Sequence, residues 1–299
     1  MPEDGGFNSG FVTIVGCPNV GKSTLLNRMI GQKVAIVSDK PQTTRSNIRG
    51  VLSGEGFQIV FIDTPGLQKP RNRLGEHMAR EVRHALDRVD AIVLVVDGTR
   101  PLGPRDRATL DGLASAKTPV VIAVSKADAV ERKDMAALLS SLADYGFAQH
   151  IVPVSALGGT NVDVLLGILK GYLGPGPRYF PEDMVTDQPE RVLVAEFIRE
   201  KALELLIEEV PHGVGVGIEQ MRRRERDGLY EIYATIYCER PGHKAIIIGR
   251  QGSMLREIGE RARADIEFLL GARVYLDLWV KVQEGWRNNE KFIRGLGYS

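Results

Sequence analysis

The chain has 299 residues, a formal net charge of +1 and 43% apolar residues, which is enough for two globular domains and excludes a generally basic protein. Any nucleic-acid contact must therefore come from local clusters of cations. The aliphatic run over residues 91–96 is too short to cross a membrane, and residues 1–10 lack a signal-peptide pattern. Cys17 and Cys238 lie far apart without metal-ligand spacing, which is typical of reduced thiols in a cytosolic protein.

Short aliphatic runs alternate with stretches of helical spacing along the first part of the chain. The runs predict buried parallel strands over residues 11–15, 58–62, 91–97, 120–125 and 151–154, with an extra strand over 48–53. The predicted helices cover residues 23–30, 75–88, 105–115, 131–144 and 162–173. This alternation predicts an α/β fold with a doubly wound sheet that binds its ligand at the carboxyl ends of the strands.

The sequence of residues 16–23 is Gly-Cys-Pro-Asn-Val-Gly-Lys-Ser, which fits the G-x-x-x-x-G-K-S/T phosphate loop. It follows a predicted strand and precedes a predicted helix, as this motif requires. Its backbone N–H groups and the helix dipole favour phosphate oxygens, Lys22 would reach the terminal phosphates and Ser23 would ligate Mg²⁺. The predicted nucleotide contacts here are Gly16, Asn19, Val20, Gly21, Lys22, Ser23 and Thr24.

Two later segments complete a predicted magnesium and γ-phosphate site. Residues 41–45, Pro-Gln-Thr-Thr-Arg, lie in a loop over residues 32–47 that is predicted to be a first switch, offering a threonine hydroxyl to Mg²⁺ when γ-phosphate is present. The sequence leaves Thr43 and Thr44 open as that ligand. Asp63 follows a predicted strand and is expected to hold Mg²⁺ through water opposite Ser23, while the Gly66 N–H faces the γ-phosphate.

The predicted base-reading residues come at the ends of the last two strands of the sheet. Ser125-Lys126-Ala127-Asp128 is similar to the guanine motif N-K-x-D, with serine in place of asparagine. Asp128 would accept hydrogen bonds from the guanine N1–H and amine, which adenine cannot supply, and the Lys126 stem would cover the base. A serine cannot make every contact of an asparagine amide, so affinity is expected to be weaker. Ser155 and Ala156 match a weak S-A-x motif at the guanine O6.

A second domain is predicted after a Gly- and Pro-rich segment. The predicted organisation is a flexible arm over 1–10, a first domain over 11–173, a semi-rigid linker over 174–190 and a smaller α/β domain over 191–299. Within the last domain, the pattern predicts helices over 194–210 and 253–270, strands over 230–238 and 274–282, and a helix-ending role for Gly271.

The loop over residues 249–252, Gly-Arg-Gln-Gly, lies between two predicted helices, as the backbone clamp of KH domains does. The predicted RNA contacts are Lys244, Ile248, Gly249, Arg250, Gln251, Gly252 and Arg256. The arginine triplet over 222–224 is either a set of phosphate contacts or a solvated face, and the sequence leaves this open. His212 and His243 are expected to be surface or helix-end residues.

The phosphate loop, switch, D-x-x-G and base-reading motifs, in this order, resemble those of small GTPases. Residues 41–45, 63–67 and 69–75, together with the KH-like domain, resemble the Era-like family of bacterial ribosome-assembly GTPases over nearly the whole chain. The resemblance implies a GTPase domain followed by a type II KH domain, hydrolysis of GTP to GDP with Mg²⁺, and binding to the 3′ end of 16S rRNA in 30S subunit assembly. It also implies a monomer in the cytoplasm with peripheral contact at the inner membrane.

Leu67 stands where many signalling GTPases carry a water-orienting glutamine. The resemblance implies that Asn19 holds a K⁺ ion beside the phosphates, although the residue could instead only brace the loop. The catalytic set expected on this basis is Lys22, Asn19, Thr44 and Gly66. The rival hypotheses are an ATPase, a nucleotide-binding RNA chaperone without turnover, and a GTPase of another class such as a tandem-domain one; the chain contains one phosphate loop.

Overall fold

The computed structural model describes residues 6–40, 43–45, 48–65, 72–86 and 89–298. These described residues fall into two compact units. The first unit takes its described residues from 1–35, 44–69 and 78–187, and the second from 36–43, 70–77 and 188–299. The short segment 36–43 therefore belongs to the unit that holds the end of the chain, although its neighbours in sequence belong to the first unit.

The first unit contains a mostly parallel sheet. Its strands are β1 (Asn8–Gly16), β2 (Ile48–Gly54), β3 (Phe57–Asp63), β4 (Ala91–Asp97), β5 (Val120–Ser125), β6 (His150–Pro153) and the short β7 (Gly174–Pro175). The order is β2-β3-β1-β4-β5-β6, with β7 beside β1. All neighbours are parallel except the β2–β3 and β1–β7 pairs, which are antiparallel.

Helices cover both faces of this sheet. They are α1 (Lys22–Ile30), α2 (Arg73–Leu86), α3 (Pro104–Leu113), α4 (Arg132–Ala143) and α5 (Val162–Lys170). Of α2, residues 78–86 belong to this unit and residues 73–77 to the second. One apolar cluster joins β1, β3 and β4 to α1 and α5, and another joins β4 and β5 to α3 and α4. Every residue of β4 is buried, as expected for a central strand that is covered on both faces. The predicted α/β class and doubly wound arrangement are confirmed.

The structure differs from the sequence prediction at both ends of this unit. The predicted flexible arm reaches residue 10, but β1 starts at Asn8 because residues 8 and 9 pair with both β3 and β7. The predicted linker also makes fixed contacts. The Gln58 amide bonds to the backbone of Tyr179 and Phe180, and Val51 N–H donates to the Val185 carbonyl at 2.8 Å. Residues 174–187 therefore pack within the first unit, and the predicted domain boundaries themselves stay a prediction.

The second unit is an α/β domain with the order α-β-β-α-α-β, followed by one short helix. Its elements are α6 (Glu190–Leu205), β8 (Gly215–Arg223), β9 (Tyr230–Cys238), α7 (Pro241–Ile248), α8 (Ser253–Leu270), β10 (Val274–Val282) and α9 (Glu290–Gly295). The sheet order is β10-β9-β8, with β9 and β10 parallel. The core lies between this sheet and helices α6, α7 and α8. The predicted bounds of β9, α8 and β10 are confirmed, and Gly271 ends α8 in the left-handed conformation.

Helix α6 differs most from its prediction. It begins at Glu190, directly after Pro189 at the N-cap, and ends at Leu205 because Leu206 is extended and a 3-10 turn starts at Pro211. The predicted helix over 194–210 was therefore shifted toward the C-terminus by four to five residues. No described helix of the chain combines the length and apolar content that crossing a bilayer requires.

Candidate nucleotide site and nucleic-acid interface

The phosphate loop connects β1 to α1 at the carboxyl edge of the sheet. Gly16 has φ 150°, and a Cβ at this position would lie 2.4 Å from the Val95 carbonyl oxygen of β4. Only glycine fits there, so the motif's first fixed position is set by contact with the neighbouring strand. Asn19, at the tip of the loop, is exposed and has a left-handed backbone with φ 63°.

The Lys22 side chain lies inside the loop. It is 6% exposed, and its Nζ donates to the carbonyl oxygens of Cys17 at 3.1 Å and Gly16 at 3.4 Å. Burial lowers the pKa of Lys22, and the negative charge of Asp63 opposes that shift. Phosphate oxygens at this loop would stabilise the charged ammonium that burial disfavours.

Three side-chain oxygens meet at the start of α1. Ser23 Oγ donates to Asp63 Oδ2 at 2.7 Å and lies 3.0 Å from Thr44 Oγ1, which is itself 3.4 Å from Asp63 Oδ2. The Thr43 hydroxyl instead donates to the Lys40 carbonyl at 2.6 Å. Of the two candidate threonines, Thr44 joins Ser23 and Asp63, which favours Thr44 as the magnesium ligand.

The donor set of this cluster fits Mg²⁺. Asp63 is fully buried, and its Oδ1 has no hydrogen-bond partner among the described residues. Burial raises the pKa of Asp63, so an adjacent cation would favour the carboxylate. Mg²⁺ prefers hard oxygen ligands and commonly takes one carboxylate together with substrate phosphates. Among the described residues there is no group of three His, Cys, Asp or Glu side chains that could hold a metal without such a substrate.

Two predicted residues cannot be compared with the structure. Gly66, expected to face the γ-phosphate, and Leu67, at the position of the water-orienting glutamine, lie outside the described residues. The first switch is described only in part, since residues 41, 42, 46 and 47 also lie outside.

Ser125, at the end of β5, ties the phosphate loop to the sheet. Its hydroxyl is buried and donates to the Val20 carbonyl at 2.6 Å, with the Val96 carbonyl at 3.1 Å. The short Ser125 side chain therefore reaches the phosphate loop, and its hydroxyl hydrogen is used in a bond to the protein backbone. The predicted loss of affinity relative to an asparagine stays a prediction.

Lys126 and Asp128, predicted to read the base, lie directly after β5. Lys126 has a left-handed backbone with φ 58°, and its Nζ donates to Asp97 Oδ2 at 2.7 Å. Burial would raise the pKa of Asp97, but hydrogen bonds from Lys126 and Thr99 outweigh it and hold this pKa below its usual range. Asp128 is exposed, and its carboxylate makes no hydrogen bond or ion pair with another described residue. That carboxylate is available to a ligand.

The S-A-x segment lies next to the guanine motif. The Ala127 N–H donates to the Val154 carbonyl at 3.1 Å, which joins the two loops. Ser155 is buried, and its Oγ accepts a hydrogen bond from the Gly158 N–H at 2.9 Å. The Ser155 side chain therefore shapes the turn, and Ala156 is half-buried beside it.

The G-x-x-G loop of the second unit joins α7 to α8. Gly249 has φ 73°, and a Cβ on it would lie 2.7 Å from Met254 Cβ and 2.8 Å from Met254 N. The loop therefore packs against the first turn of α8, and its exposed residues Arg250 and Gln251 lie at the N-terminus of that helix. Such a terminus attracts phosphate groups.

Three exposed cations surround this loop. None of the side chains of Lys244, Arg250 and Arg256 forms a hydrogen bond or ion pair with another described residue. The half-buried Ile248 ends α7 beside them. Unpaired cations next to a glycine loop are suited to phosphate contact.

The arginine triplet behaves differently. Arg222 pairs with Glu231 at 2.5 Å, and Arg224 pairs with Asp227 at 2.7 Å. Arg223 lies over the Tyr230 ring. These internal pairings favour the solvated-face interpretation of the triplet. His212 lies in the 3-10 turn at Pro211–Gly213 and His243 in the first turn of α7, so both are half-buried helix-end residues.

Comparison with known proteins finds a family model for each half of the chain. A family model described as 50S ribosome-binding GTPase matches residues 11–126, and a KH domain model matches residues 209–287. GTPase Era of Clostridioides difficile (strain 630) is 51% identical over 98% of this chain and 99% of its own length. GTPase Era of Alkaliphilus metalliredigens (strain QYMF) is 49% identical over 98% and 99%.

Two solved structures are also similar. A crystal structure of Era in complex with MgGDPNP and nucleotides 1506–1542 of 16S ribosomal RNA has a TM-score of 0.94, with 40% identity over 98% of this chain and 99% of that one. A variant of Aquifex aeolicus Era bound to GDP and AlF4⁻ has a TM-score of 0.93, with 40% identity over 98% and 100%.

A doubly wound sheet with a phosphate loop, followed by an α-β-β-α-α-β domain with a G-x-x-G loop, defines a GTPase with a C-terminal KH domain. Within that class, the chain belongs to the Era family of GTPases.

Sequence reasoning missed two side chains that organise the nucleotide site. Asp97 fixes the Lys126 ammonium, and the signal for it was its place at the end of the strand next to β5. Asn27 of α1 bonds the Val34 and Ala35 N–H groups and the Ala35 carbonyl, which holds the chain where it leaves α1 toward the switch. No motif in the sequence marks this asparagine.

Proposed function

We propose that this protein is a GTP-hydrolysing switch that binds the 3′ end of 16S rRNA and acts in assembly of the 30S ribosomal subunit. The observation that carries the proposal is the meeting of Ser23, Thr44 and Asp63 beside the Lys22 ammonium. The RNA-bound relative supports the choice of RNA, since its KH domain and that of this chain share one fold.

In this proposal, backbone N–H groups of residues 16–24 bind the phosphates, and Lys22 neutralises charge on the β- and γ-phosphates. Ser23, Thr44 and Asp63 would hold Mg²⁺, which supplies further neutralisation of the phosphate oxygens. Asp128 selects guanine, and Lys126, fixed by Asp97, covers the base. Gly66 completes the proposed γ-phosphate contacts.

We also propose that Asn19 supports hydrolysis by holding K⁺. Its exposed position at the tip of the phosphate loop supports this role, because the amide oxygen can face a cation beside the phosphates. Turnover that is much faster in K⁺ than in Na⁺, and that loses this difference in Asn19→Ala, is the expected result. Equal rates in the two salts would leave Asn19 as a brace of the loop.

For the second unit, we propose that Gly249, Gly252 and the cations Lys244, Arg250 and Arg256 grip the RNA backbone, with Ile248 and Gln251 beside the bases. The three cations are exposed, and their side chains have no hydrogen-bond or ion-pair partner among the described residues, which supports this arrangement. KH loops of this kind hold about four nucleotides of single strand.

GTP turnover with and without an oligonucleotide from the 3′ end of 16S rRNA tests the proposal. We expect stimulation by this RNA and none by a scrambled RNA. Lys22→Ala should abolish turnover, and Asp128→Asn should relax the preference for GTP over ATP. A protein that binds GTP but never hydrolyses it, with or without RNA, would be an RNA chaperone of the rival kind.

We propose further that the protein acts as a monomer in the cytoplasm, with peripheral contact at the inner membrane. Its mass in solution, measured by light scattering with and without nucleotide, tests the first part. Co-sedimentation with anionic lipid vesicles tests the peripheral membrane contact, and a lack of vesicle binding at low salt would exclude that contact.

A further inference from the structure

Ile36, Val37 and Thr43 of the first switch contact helix α6, and all of them belong to the second unit. Ile36 is buried in the apolar core of that unit, together with Val194 and Ile198 of α6. The segment ends at Thr43, and the following residue, Thr44, already belongs to the first unit. The Thr44 hydroxyl lies in the oxygen cluster with Ser23 and Asp63.

Arg199 of α6 binds the last residue of this segment. Its guanidinium is fully buried and donates to the Thr43 carbonyl oxygen, while Glu196 one turn earlier pairs with it. The neighbouring Glu196 carboxylate raises the pKa of Arg199 despite burial, so the guanidinium stays charged. The Thr43 carbonyl that accepts this bond belongs to the peptide group between Thr43 and Thr44.

Glu200, the next residue of α6, binds the beginning of the segment. Its carboxylate is 2% exposed, and Oε1 accepts the Val37 N–H at 2.8 Å. Lys201 pairs with Glu200 at 3.0 Å and with Asp265 of α8 at 3.0 Å. A buried charge destabilises the fold unless it is paired, and both Arg199 and Glu200 have charged partners. Their bonds to Thr43 and Val37 fix the backbone near the two ends of the segment.

We propose that Arg199 and Glu200 are positioning residues for the GTP reaction, holding the backbone at Thr43 and Val37 so that the Thr44 hydroxyl reaches Ser23 and Asp63. Neither side chain belongs to the phosphate loop or to the oxygen cluster; both would act through the backbone that carries Thr44. The inference rests on the proposed GTP and Mg²⁺ binding. It assigns to two residues of the RNA-binding half a role in recognising the triphosphate.

The test compares the affinities of the full-length protein for GDP and for a non-hydrolysable GTP analogue by calorimetry, with Mg²⁺ and with chelator. Glu200→Ala should weaken binding of the analogue by about fivefold to tenfold in Mg²⁺, a usual size for such coupling, and leave GDP affinity unchanged. The difference should vanish in chelator, because Thr44 acts through the metal. A general loss of fold would weaken both nucleotides in both buffers.

Three further variants sharpen the result. Glu200→Gln keeps an oxygen for the Val37 N–H and should restore wild-type behaviour. Glu204→Gln, on the same helix, removes a partner of Lys201 at 3.3 Å without touching residues 36–43 and should change nothing. Arg199→Lys keeps a charge beside Glu196 but shortens the reach to Thr43, so it should reproduce the selective loss even if Glu200→Ala does not fold.

Unchanged affinities in folded Glu200→Ala and Arg199→Lys would overturn the inference and leave the proposed function intact. Equal losses for the two nucleotides would overturn it as well. A wild-type protein that binds neither nucleotide would overturn both the inference and the proposed function.

Discussion

At the scale of single residues, Ser125 makes a scaffold contact between β5 and the phosphate loop. Its hydroxyl donates to Val20 of the phosphate loop at 2.6 Å, at a position where the guanine motif usually carries asparagine. A buried carbonyl that loses its donor costs about 1–3 kcal/mol. Ser125 therefore contributes to the shape of the phosphate loop, which both nucleotides share.

We expect Ser125→Ala to lower the free energy of unfolding by about 1–3 kcal/mol and to weaken GDP and GTP to a similar degree. Denaturant unfolding and calorimetry measure the two effects. Ser141→Ala is the matched control, since the exposed Ser141 hydroxyl donates to the Leu138 carbonyl at 3.0 Å and water can replace it. Unchanged nucleotide affinity in Ser125→Ala would contradict the scaffold role.

Cys17 lies in the phosphate loop but is not a reactive thiol in the folded protein. Burial, assisted by the negative charge of Asp106, raises the pKa of Cys17 to about 11. The thiolate is the nucleophile, so alkylation of native protein should be slow at neutral pH and should accelerate as the pH approaches about 11. Mass spectrometry after iodoacetamide, with Cys17→Ser to assign the label, measures this. Rapid labelling of folded protein at neutral pH would disprove the burial argument.

At the scale of elements, the α7–loop–α8 unit depends on close packing at Gly249. Helix α7 ends at Ile248, and the loop turns back at once onto Met254 of α8. A side chain at Gly249 would have to occupy the space of the α8 backbone, so the loop cannot keep this path with any other residue.

Gly249→Ala should lower the melting temperature and abolish binding of the rRNA oligonucleotide. The physical reason is the 2.7 Å contact that the new Cβ would make with Met254, at a backbone φ of 73°. Gly112→Ala is the control: Gly112 lies within α3 with nothing within 4 Å of its added Cβ, and alanine should stabilise that helix by about 0.4–1 kcal/mol. Thermal unfolding and fluorescence anisotropy measure both variants. Normal RNA binding by Gly249→Ala would show that the loop is not the clamp.

At the scale of the whole molecule, the net charge of +1 gives little general attraction for RNA. The arginine triplet adds little, since Arg222 and Arg224 pair with acidic neighbours. Affinity for RNA must therefore depend on the unpaired cations around the G-x-x-G loop.

The small number of unpaired cations at the G-x-x-G loop sets the expected salt dependence of RNA binding. With three contacts from Lys244, Arg250 and Arg256, the logarithm of the affinity should fall against the logarithm of salt concentration with a slope of about −2 for a single strand. Arg250→Ala should reduce that slope by about 0.7, and Arg222→Ala should leave it unchanged. Anisotropy titrations over a series of salt concentrations measure it. A much steeper slope would mean that other cations also contact the RNA.

The sequence alone determined the architecture and most of the motif placement. Continuous aliphatic runs such as those of β4 and β5 are typical of parallel strands buried on both faces. Residues 91–97 and 120–125 were therefore predicted with their observed bounds. The phosphate loop and the G-x-x-G loop could be found because glycine at fixed spacing reflects local backbone geometry, which neighbouring residues specify.

Only the tertiary structure distinguished Thr44 from Thr43, because adjacent hydroxyls differ in what they meet and not in sequence. It also showed that Ser125 binds the phosphate loop, that Asp97 fixes Lys126, and that Arg199 and Glu200 bond to the backbone of Thr43 and Val37. These contacts join residues from 29 to 163 positions apart, and their partners become known only when the chain has folded. Local pattern sets the elements, and packing between distant segments sets which side chains can act.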